Sequence, residues 1–445
     1  MTWGAAAVNG GRHEALHRES RCARQWTETD WACLMRRVIF LNRFFFPDYS
    51  ATSQILSDLA FQLAEAGRQI LVITSRQLYA DASVHLPALE IVRGVTIHRI
   101  PTTRFGRSQL IGRGLDYASF YASLWRAVNR LATPGDILVA KTDPPMLGAL
   151  AMYAARRRKA HLVNWLQDLY PEVAAELGVP FMDGRIGRML VGLRNESLKS
   201  ASMNVAIGER MAANLRRIGI PENRICVIPN WCADPTICPT SQSNNALRRA
   251  WGLAGKFVVG YSGNLGRAHE FGTLLEAARL LSDEPGIMFL VVGGGHFVEA
   301  FSRRVQELNL GRQFRFLPYQ DQATLNISLG VPDLYWISLK PELEGLIVPS
   351  KFYSIAAAGR PMAVIGASNG ELATLVKRHQ CGYVVAPDDA ITLAELLRRA
   401  AADPSNLVPM GQAARNMLDT HFSRHQACRR WDELFGKLMA ADAQV

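Results

Sequence analysis

The sequence lacks the features of a secreted or membrane-spanning chain. Its 445 residues include 7 Cys, an odd number, and no C-x-x-C pair occurs. A disulfide framework is therefore disfavoured, and a reducing cytoplasm is the expected location. Cys226, Cys232 and Cys238 have neither the fourth ligand nor the close spacing of a zinc site. No apolar run approaches the length that spans a bilayer, and no coiled-coil, collagen or solenoid period is present.

Acidic residues are outnumbered, with 39 Asp and Glu against 50 Lys and Arg, which gives a formal net charge of +11. Such an excess favours an anionic partner, which could be nucleic acid, an acidic membrane surface or a phosphate-bearing small molecule. No recognition-helix module, RNA-binding signature or zinc-finger spacing accompanies the basic residues, so nucleic acid is disfavoured. The membrane surface and the small molecule both stay open.

What the sequence does contain is a repeated alternation of apolar strands and helices. The first series of strands reads "VIFLN", "QILVIT", "DILVAK", "AHLVNWLQ", "ASMNVAIG" and "RICVIP". The second reads "FVVGYSGNLG", "IMFLVVGGG", "QFRFLPY", "DLYWISL", "PMAVIG" and "CGYVVAP". Fully apolar strands between helices predict parallel sheets covered on both faces. The predicted fold class is α/β, with two doubly wound Rossmann-like domains facing a central cleft.

Composition places the domain boundaries. Residues 1–34 show no period and no apolar signal-peptide core, and we expect either a disordered extension or an artefact of an upstream start site there, with the fold starting at Met35. The first domain is predicted over 35–229, a Pro- and Asn-containing linker over 230–240, and the second domain over 241–422. The amphipathic segment 423–445 predicts a C-terminal helix that either closes the second core or packs back on the first domain.

Two glycine-rich turns follow strands of the second series. Open parallel sheets bind ligands beyond the carboxyl ends of their strands, so these turns are candidate binding loops. In "GYSGNLGRAHE" a helix is expected from about Glu270, and the candidate ligand-binding residues before it are Gly263, Asn264, Gly266 and Arg267. In "VVGGG" the candidate is Gly294. Glycines let backbone amides approach a phosphate, and an arginine adds a bidentate donor.

A third turn opens "EGLIVPSKFYSIAAAGRP". Its candidate residues are Glu344, Gly345, Leu346, Pro349, Ser350 and Lys351. Ser350 is the expected helix cap, and Lys351 lies in the first helical turn. A lysine there opposes the helix dipole, and a bound anion would remove that conflict. An ordinary amphipathic helix that happens to carry one lysine stays the alternative.

These turns, with "FLPY" and "NWLQDLYPE", resemble the motifs of family 4 of the retaining glycosyltransferases, which have the GT-B fold. The closest likeness is to bacterial enzymes that build colanic acid and O-antigen, and it extends from Met35 over nearly the whole chain. The resemblance implies that the second domain binds a UDP- or GDP-linked sugar and the first binds the acceptor. It also implies a hexosyl- or deoxyhexosyltransferase that needs no metal or other cofactor.

The resemblance also assigns donor-side roles. Glu344 matches the first Glu of the family's E-x7-E motif, which grips the donor sugar and ribose. The second Glu is missing, because the position eight residues on is Phe352, and Ser354 is left as the hydroxyl that can bond a ribose. The family's basic pair is absent at Asn264 and near His269. We expect Arg267 and Lys351 to replace that pair on the diphosphate.

On the acceptor side, the loop "PDYSATSQ" stands where the family often has Gly-Gly. Its small residues Ser50, Ala51 and Thr52 are expected to admit the acceptor. Gln167 stands where a His is frequent, and Asp168 is the expected orienter of a donor or acceptor hydroxyl. A structural carboxylate at the end of a strand stays the alternative for Asp168.

The resemblance further implies a lipid-linked glycan acceptor and peripheral contact with the cytoplasmic face of the inner membrane. The segment "GRIGRMLVGLRNESLKS" can form an interfacial helix, with Ile186, Met189, Leu190 and Leu193 on one face and Arg185, Arg188 and Arg194 around it. A core-facing helix with solvated arginines is the alternative. Two other functions stay open: an epimerase or phosphorylase on the same fold, and a catalytically silent glycan-binding or scaffolding homologue.

Overall fold

The computed structural model describes residues 36–441, except for 80, 82, 83, 106–109, 181, 183, 243 and 296. The extension expected over 1–34 lies outside the described residues. The chain forms two sheets, one of eight strands in the order β3-β4-β2-β1-β5-β6-β7-β8 and one of six in the order β11-β10-β9-β12-β13-β14. Each sheet has helices in its crossovers, so the two Rossmann-like sheets predicted from the sequence are confirmed.

The strands of the first sheet are β1 (Val38–Leu41), β2 (Ile70–Ser75), β3 (Leu89–Val92), β4 (Val95–Ile100), β5 (Ile137–Ala140), β6 (His161–Leu166), β7 (Met203–Ala206) and β8 (Ile225–Val227). The strands of the second sheet are β9 (Phe257–Asn264), β10 (Ile287–Gly294), β11 (Phe314–Leu317), β12 (Leu334–Ser338), β13 (Met362–Ile365) and β14 (Gly382–Val385). Every pairing is parallel except the β3–β4 hairpin. That hairpin was missed because β3 is a half-exposed edge strand and not a continuous apolar run.

The first-half helices are α1 (Ala51–Glu65), α2 (Leu110–Leu131), α3 (Leu147–Arg158), α4 (Glu172–Glu176), α5 (Arg185–Ser200) and α6 (Glu209–Arg217). The second-half helices are α7 (Ala246–Ala250), α8 (Gly272–Leu280), α9 (Val298–Glu307), α10 (Gln322–Leu329), α11 (Lys351–Ala357), α12 (Glu371–His379), α13 (Ala390–Ala402), α14 (Leu407–His421) and α15 (Arg424–Ala441). Short 3-10 helices occupy Glu222–Arg224, Pro341–Leu343 and Pro404–Asn406. No helix in the described ranges is long and apolar enough to cross a membrane.

Two expected helix starts lie close to those observed but differ in detail. Helix α8 begins at Gly272, because the Glu270 carboxylate stays outside the helix and accepts a hydrogen bond from the Thr273 amide at 3.0 Å. Ser350 is not a side-chain cap: its hydroxyl makes no capping bond and its backbone is already helical, with φ −65° and ψ −22°. Lys351 is the first residue of α11, as expected.

Helix α5 combines the two interpretations left open for its sequence. Leu193 packs against the core of the first domain. Ile186 and Met189 are 50% and 66% exposed. Arg194, expected near the exposed face, is buried instead, because its guanidinium pairs with the Glu172 carboxylate and donates to the Tyr170 carbonyl at 3.1 Å.

The C-terminal helix α15 packs against the first sheet. The Trp431 ring lies 4.8 Å from that of Trp165 in β6, centroid to centroid. Asp432 accepts a 2.7 Å hydrogen bond from Arg68, just before β2. The chain therefore crosses back to the first domain after completing the second, and it adds an aromatic layer to the first domain's core.

Candidate active site

The two glycine-rich turns of the second sheet lie side by side. Gly263 is in register with Gly293, and Asn264 with Gly294. Gly263 and Gly293 have φ values of +129° and +133°, and a Cβ at position 293 would lie 2.2 Å from the Gly263 carbonyl oxygen. Only glycine fits this close backbone approach, which leaves a main-chain surface at the carboxyl end of the sheet.

Arg267 projects from the first turn into solvent. Within the turn, the His269 amide donates a hydrogen bond to the Gly266 carbonyl at 3.2 Å. The Lys340 amide, which follows β12, donates to the Ala268 carbonyl at 3.0 Å and connects the turn to that strand. No described residue forms a side-chain hydrogen bond or ion pair with the Arg267 guanidinium. Its five donors are therefore available to a ligand over the turn.

Lys351 reaches from the start of α11 to the underside of the same turn. Its Nζ donates to the Tyr261 hydroxyl and lies 3.1 Å from His269 Nε2. The other ring nitrogen of His269, Nδ1, donates to the Ser338 carbonyl at 2.8 Å, so Nε2 is the acceptor for the lysine. Tyr261 in turn donates to the Asn264 carbonyl at 2.6 Å, which links the lysine to the glycine turn.

Burial sets the electrostatics of this cluster. It lowers the pKa of Lys351 well below the usual value. Burial, followed by the nearby Lys351 charge, lowers the pKa of His269 to about 3, so the imidazole is neutral. No carboxylate in the described part of the chain forms an ion pair with Lys351, so the charged form of this half-buried lysine is disfavoured. An anion bound over the turns would supply the missing negative charge.

The Glu344 loop lies where the two domains meet. The Leu346 carbonyl accepts from the Leu169 amide at 2.9 Å, and the Gly345 carbonyl accepts from Asn214 Nδ2 at 2.8 Å. The Glu344 carboxylate accepts from the Glu371 amide at 3.0 Å, and burial raises the pKa of Glu344. The loop thus brings an acidic side chain and two backbone groups to the interdomain boundary.

Two further donor-side candidates lie next to α11. Pro349 precedes the helix, and its carbonyl accepts from the Phe352 amide at 3.3 Å. Ser354, one turn into the helix, lies next to the thiol of Cys232 in the linker. The structure therefore places the Ser354 hydroxyl against the linker and not in the Lys351 cluster.

Asp168 stands on the first domain directly opposite the Glu344 loop. Its backbone forms an isolated bridge with Ile347, and its carboxylate accepts from the Thr142 hydroxyl at 3.3 Å. Burial, with a smaller contribution from Asp143, raises the pKa of Asp168 to about 6. A carboxyl group with such a pKa can exchange a proton near neutral pH.

The start of α1 holds the expected acceptor residues and a lysine that sequence reasoning missed. The Ser50 hydroxyl and amide both donate to Asp48, at 2.5 and 2.8 Å, and Ala51 begins the helix. The Thr52 carbonyl accepts from Lys141 Nζ at 2.8 Å. Lys141 is 1% exposed, and burial lowers its pKa to about 7. The sequence feature that could have identified Lys141 is its position directly after the apolar strand "DILVA".

Gln167 joins β6 to the linker. Its amide nitrogen donates to Asn230 Oδ1 at 3.1 Å and its amide oxygen accepts from Asn230 Nδ2 at 2.9 Å. Both side chains are buried. The expected acceptor-binding residue therefore has its amide engaged by the linker, next to Asp168.

Family comparisons cover both halves of the chain. The model described as "Glycosyl transferase 4-like domain" matches residues 51–231, and the model described as "Glycosyl transferases group 1" matches residues 243–417. Together they span most of the chain, and each match falls on one of the two sheets.

Curated relatives and solved structures agree with this match. The chain is 26% identical to the glycosyltransferase WbjE of Pseudomonas aeruginosa, over 72% of this chain and 80% of the relative. It is 23% identical to WcaI of Escherichia coli strain K12, over 84% of this chain and 94% of the relative. The name of WcaI gives colanic acid biosynthesis. HepE of Anabaena, solved with UDP and glucose, superposes with a TM-score of 0.67 at 19% identity, covering 90% of this chain and all of that one. Some of these relatives are named for polysaccharide biosynthesis. The chain therefore belongs to the GT-B glycosyltransferases: its first domain is glycosyl transferase 4-like and its second is of glycosyl transferases group 1.

Proposed function

We propose that this chain transfers a hexosyl or deoxyhexosyl unit from a nucleoside diphosphate sugar to a hydroxyl of a glycan acceptor, with retention of anomeric configuration. The observation that carries the proposal is Lys351, a half-buried lysine with no carboxylate partner in the described structure, whose Nζ is bonded to Tyr261 beneath the glycine turns. A diphosphate matches that site in charge, and the turn amides and Arg267 match it in hydrogen-bonding capacity. HepE, with its UDP and glucose, supports a nucleotide-sugar donor.

In the proposed reaction the bond between the sugar carbon C1 and the diphosphate oxygen breaks while the acceptor oxygen bonds to C1. Charge develops on the departing diphosphate, where Arg267 and Lys351 stabilise it without requiring a metal. Retention follows if the acceptor approaches from the face that the diphosphate leaves, and the departing oxygen then takes the acceptor's proton. Glu344 and Asp168, on opposite sides of the interdomain boundary, would orient donor and acceptor hydroxyls.

The direct test is a panel of UDP- and GDP-sugars incubated with the full chain, with and without lipid-linked glycans and with EDTA in a parallel set. Release of nucleotide that depends on the acceptor and persists in EDTA supports the proposal. Tight nucleotide binding without turnover would favour a silent homologue. Conversion of the donor into an isomeric sugar would favour an epimerase.

The affinity for UDP is expected to rise as the pH is lowered, over the range between the pKa of Lys351 in the UDP complex and its lower pKa in the free protein. Burial holds the pKa of free Lys351 low, and a bound diphosphate raises it again, so binding takes up a proton. The trend should end near pH 6, where a phosphate group itself becomes protonated, its second pKa being about 6. Isothermal titration calorimetry in two buffers of different ionisation enthalpy measures the proton uptake. Equal binding enthalpies in both buffers would contradict this account.

We also propose that helix α5 places the enzyme on the cytoplasmic face of the inner membrane, where a lipid-linked acceptor would be found. Ile186 and Met189 are exposed on this helix beside the exposed Arg185 and Arg188. Exposed apolar side chains flanked by arginines fit the boundary of an anionic bilayer.

The double substitution Ile186→Glu with Met189→Glu is expected to weaken binding to phosphatidylglycerol-containing vesicles by more than about tenfold, since each apolar side chain contributes about 1.5–3 kcal/mol when buried. Vesicle co-sedimentation measures the change. Ile391→Glu is the matched control, because Ile391 is 66% exposed on α13 of the other domain. Equal binding by wild type and double variant would remove α5 from the membrane contact.

A further inference from the structure

Glu371, the first residue of α12, contacts both domains at once. Its carboxylate accepts from the backbone amides of Glu209, at 3.2 Å, and Arg210, at 2.8 Å. These are the first two amides of α6, which belongs to the first domain. Its own backbone amide donates in the other direction, to the Glu344 carboxylate at 3.0 Å.

The carboxylates of Glu344 and Glu371 therefore each cap the start of one helix. The first amides of a helix have no partner within it, and a carboxylate there also gains from the helix dipole. Glu344 satisfies the start of α12 within the second domain. Glu371 satisfies the start of α6 across the interdomain boundary. The sequence separation between Glu371 and the amide of Glu209 is 162 residues, so the contact is purely tertiary.

Gly208 shows that the fit is close. A Cβ at this position would lie 2.7 Å from the Glu371 carboxyl carbon and 2.9 and 3.0 Å from its two oxygens. The backbone of Gly208 is extended, with φ −167°. A side chain at position 208 would therefore displace the Glu371 carboxylate without straining the backbone.

Helix α6 makes two further hydrogen bonds to loops of the second domain. The Arg210 guanidinium donates to the Asn369 carbonyl, just before α12. Asn214 of α6 donates to the Gly345 carbonyl, next to Glu344. The neighbouring residue Leu346 bonds Leu169, the residue after Asp168. Glu371 therefore belongs to a set of hydrogen bonds across the domain boundary that holds the Glu344 loop next to Asp168.

We propose that Glu371 is a positioning residue for glycosyl transfer: by capping α6 across the domain boundary while holding Glu344, it fixes the donor-side loop against the acceptor-side domain. This inference rests on the proposed transfer function. Glu371 does not touch the glycine turns or Lys351, so its loss would change the alignment of donor and acceptor and leave the diphosphate site intact.

The kinetic test uses Glu371→Gln and Gly208→Ala, which weaken the same contact from opposite domains. Each is expected to lower kcat by about tenfold or more, because small misplacements of reacting groups cost this much. The affinity for UDP, measured by calorimetry, should stay at the wild-type value. Glu299→Gln is the matched control, a glutamate in the first turn of α9 within the same domain. A kcat unchanged in both test variants would overturn the proposal, as would a parallel loss of UDP affinity.

A double-mutant cycle and amide exchange complete the test. Glu371→Ala and Gly208→Ala remove one shared contact, so the double variant should lose no more activity than the worse single variant. Additive losses would overturn the proposal. Hydrogen exchange of the Glu209 and Arg210 amides should speed up in Glu371→Ala, and unchanged protection would show that the contact is absent in solution. If the wild-type chain transfers no sugar while these amides respond as expected, the contact stands but the positioning role fails together with the proposed function.

Discussion

Replacing Lys351 with methionine is expected to lower the rate of sugar transfer by about 10²–10³-fold, the usual effect of removing one preorganised group that stabilises transition-state charge. Methionine keeps the length of the side chain but cannot meet the charge that develops on the departing diphosphate. The fold should survive, because an ammonium is no longer buried and this gain offsets the loss of hydrogen bonds to Tyr261 and His269. Steady-state kinetics and thermal unfolding of the same preparation measure the two effects.

Lys141→Met is the matched control for this prediction. Lys141 is a fully buried lysine that also lacks an acidic hydrogen-bond partner, but its Nζ bonds the Thr52 carbonyl in the first domain and lies over the Trp165 ring. Its replacement should leave the affinity for UDP at the wild-type value, whereas Lys351→Met should reduce that affinity. If the two variants bind UDP equally well, Lys351 does not hold the diphosphate.

Replacing Trp431 with alanine is expected to reduce the free energy of unfolding by about 3–5 kcal/mol, the range for a fully buried large aromatic side chain. Trp431 is completely buried, and its ring packs between those of Trp165 and Phe435. The cavity would lie between α15 and the first sheet, so the first domain should lose stability even though Trp431 follows the second domain in sequence. Guanidinium unfolding followed by circular dichroism measures the loss.

Trp125→Ala serves as the comparison, because Trp125 on α2 is 37% exposed and leaves less of a cavity. A two-domain chain need not unfold in one step, so amide exchange in β1 and β6 should accompany the denaturant curves. Faster exchange in these strands is expected for Trp431→Ala only. Equal effects of the two substitutions would mean that α15 does not support the first sheet.

Local patterns were sufficient to predict the fold and the positions of the glycine turns. Each apolar run of the second half became a strand of the six-stranded sheet, because a parallel strand covered on both faces must be apolar at nearly every position. Gly263 was singled out from the turn that follows β9, but the backbone approaches that exclude a side chain at the end of β10 are made by Gly293 and Gly295 and not by Gly294. Lys351 was singled out by its conflict with a helix dipole.

The contacts of these residues could not be derived in this way. A lysine at the start of α11 can point into solvent or into the protein, and only the tertiary structure shows that Lys351 packs against Tyr261 and His269. Ser354 is predicted to bond a ribose, and its position next to the Cys232 thiol of the linker could not be read from the sequence. Lys141 and Glu371 received no role, because their partners are remote in sequence.

The sequence by itself determined the two doubly wound sheets, the glycine turns after their strands and the family to which the chain belongs, because these depend on short-range periodicity and on motifs of a few residues. The tertiary structure alone decided that α15 covers the first sheet, that Lys351 has no acidic partner among the described residues, and that Glu371 caps a helix of the other domain. The reason is that these are contacts between groups far apart along the chain. Their energies depend on burial and on distances that exist only once both domains have folded and docked.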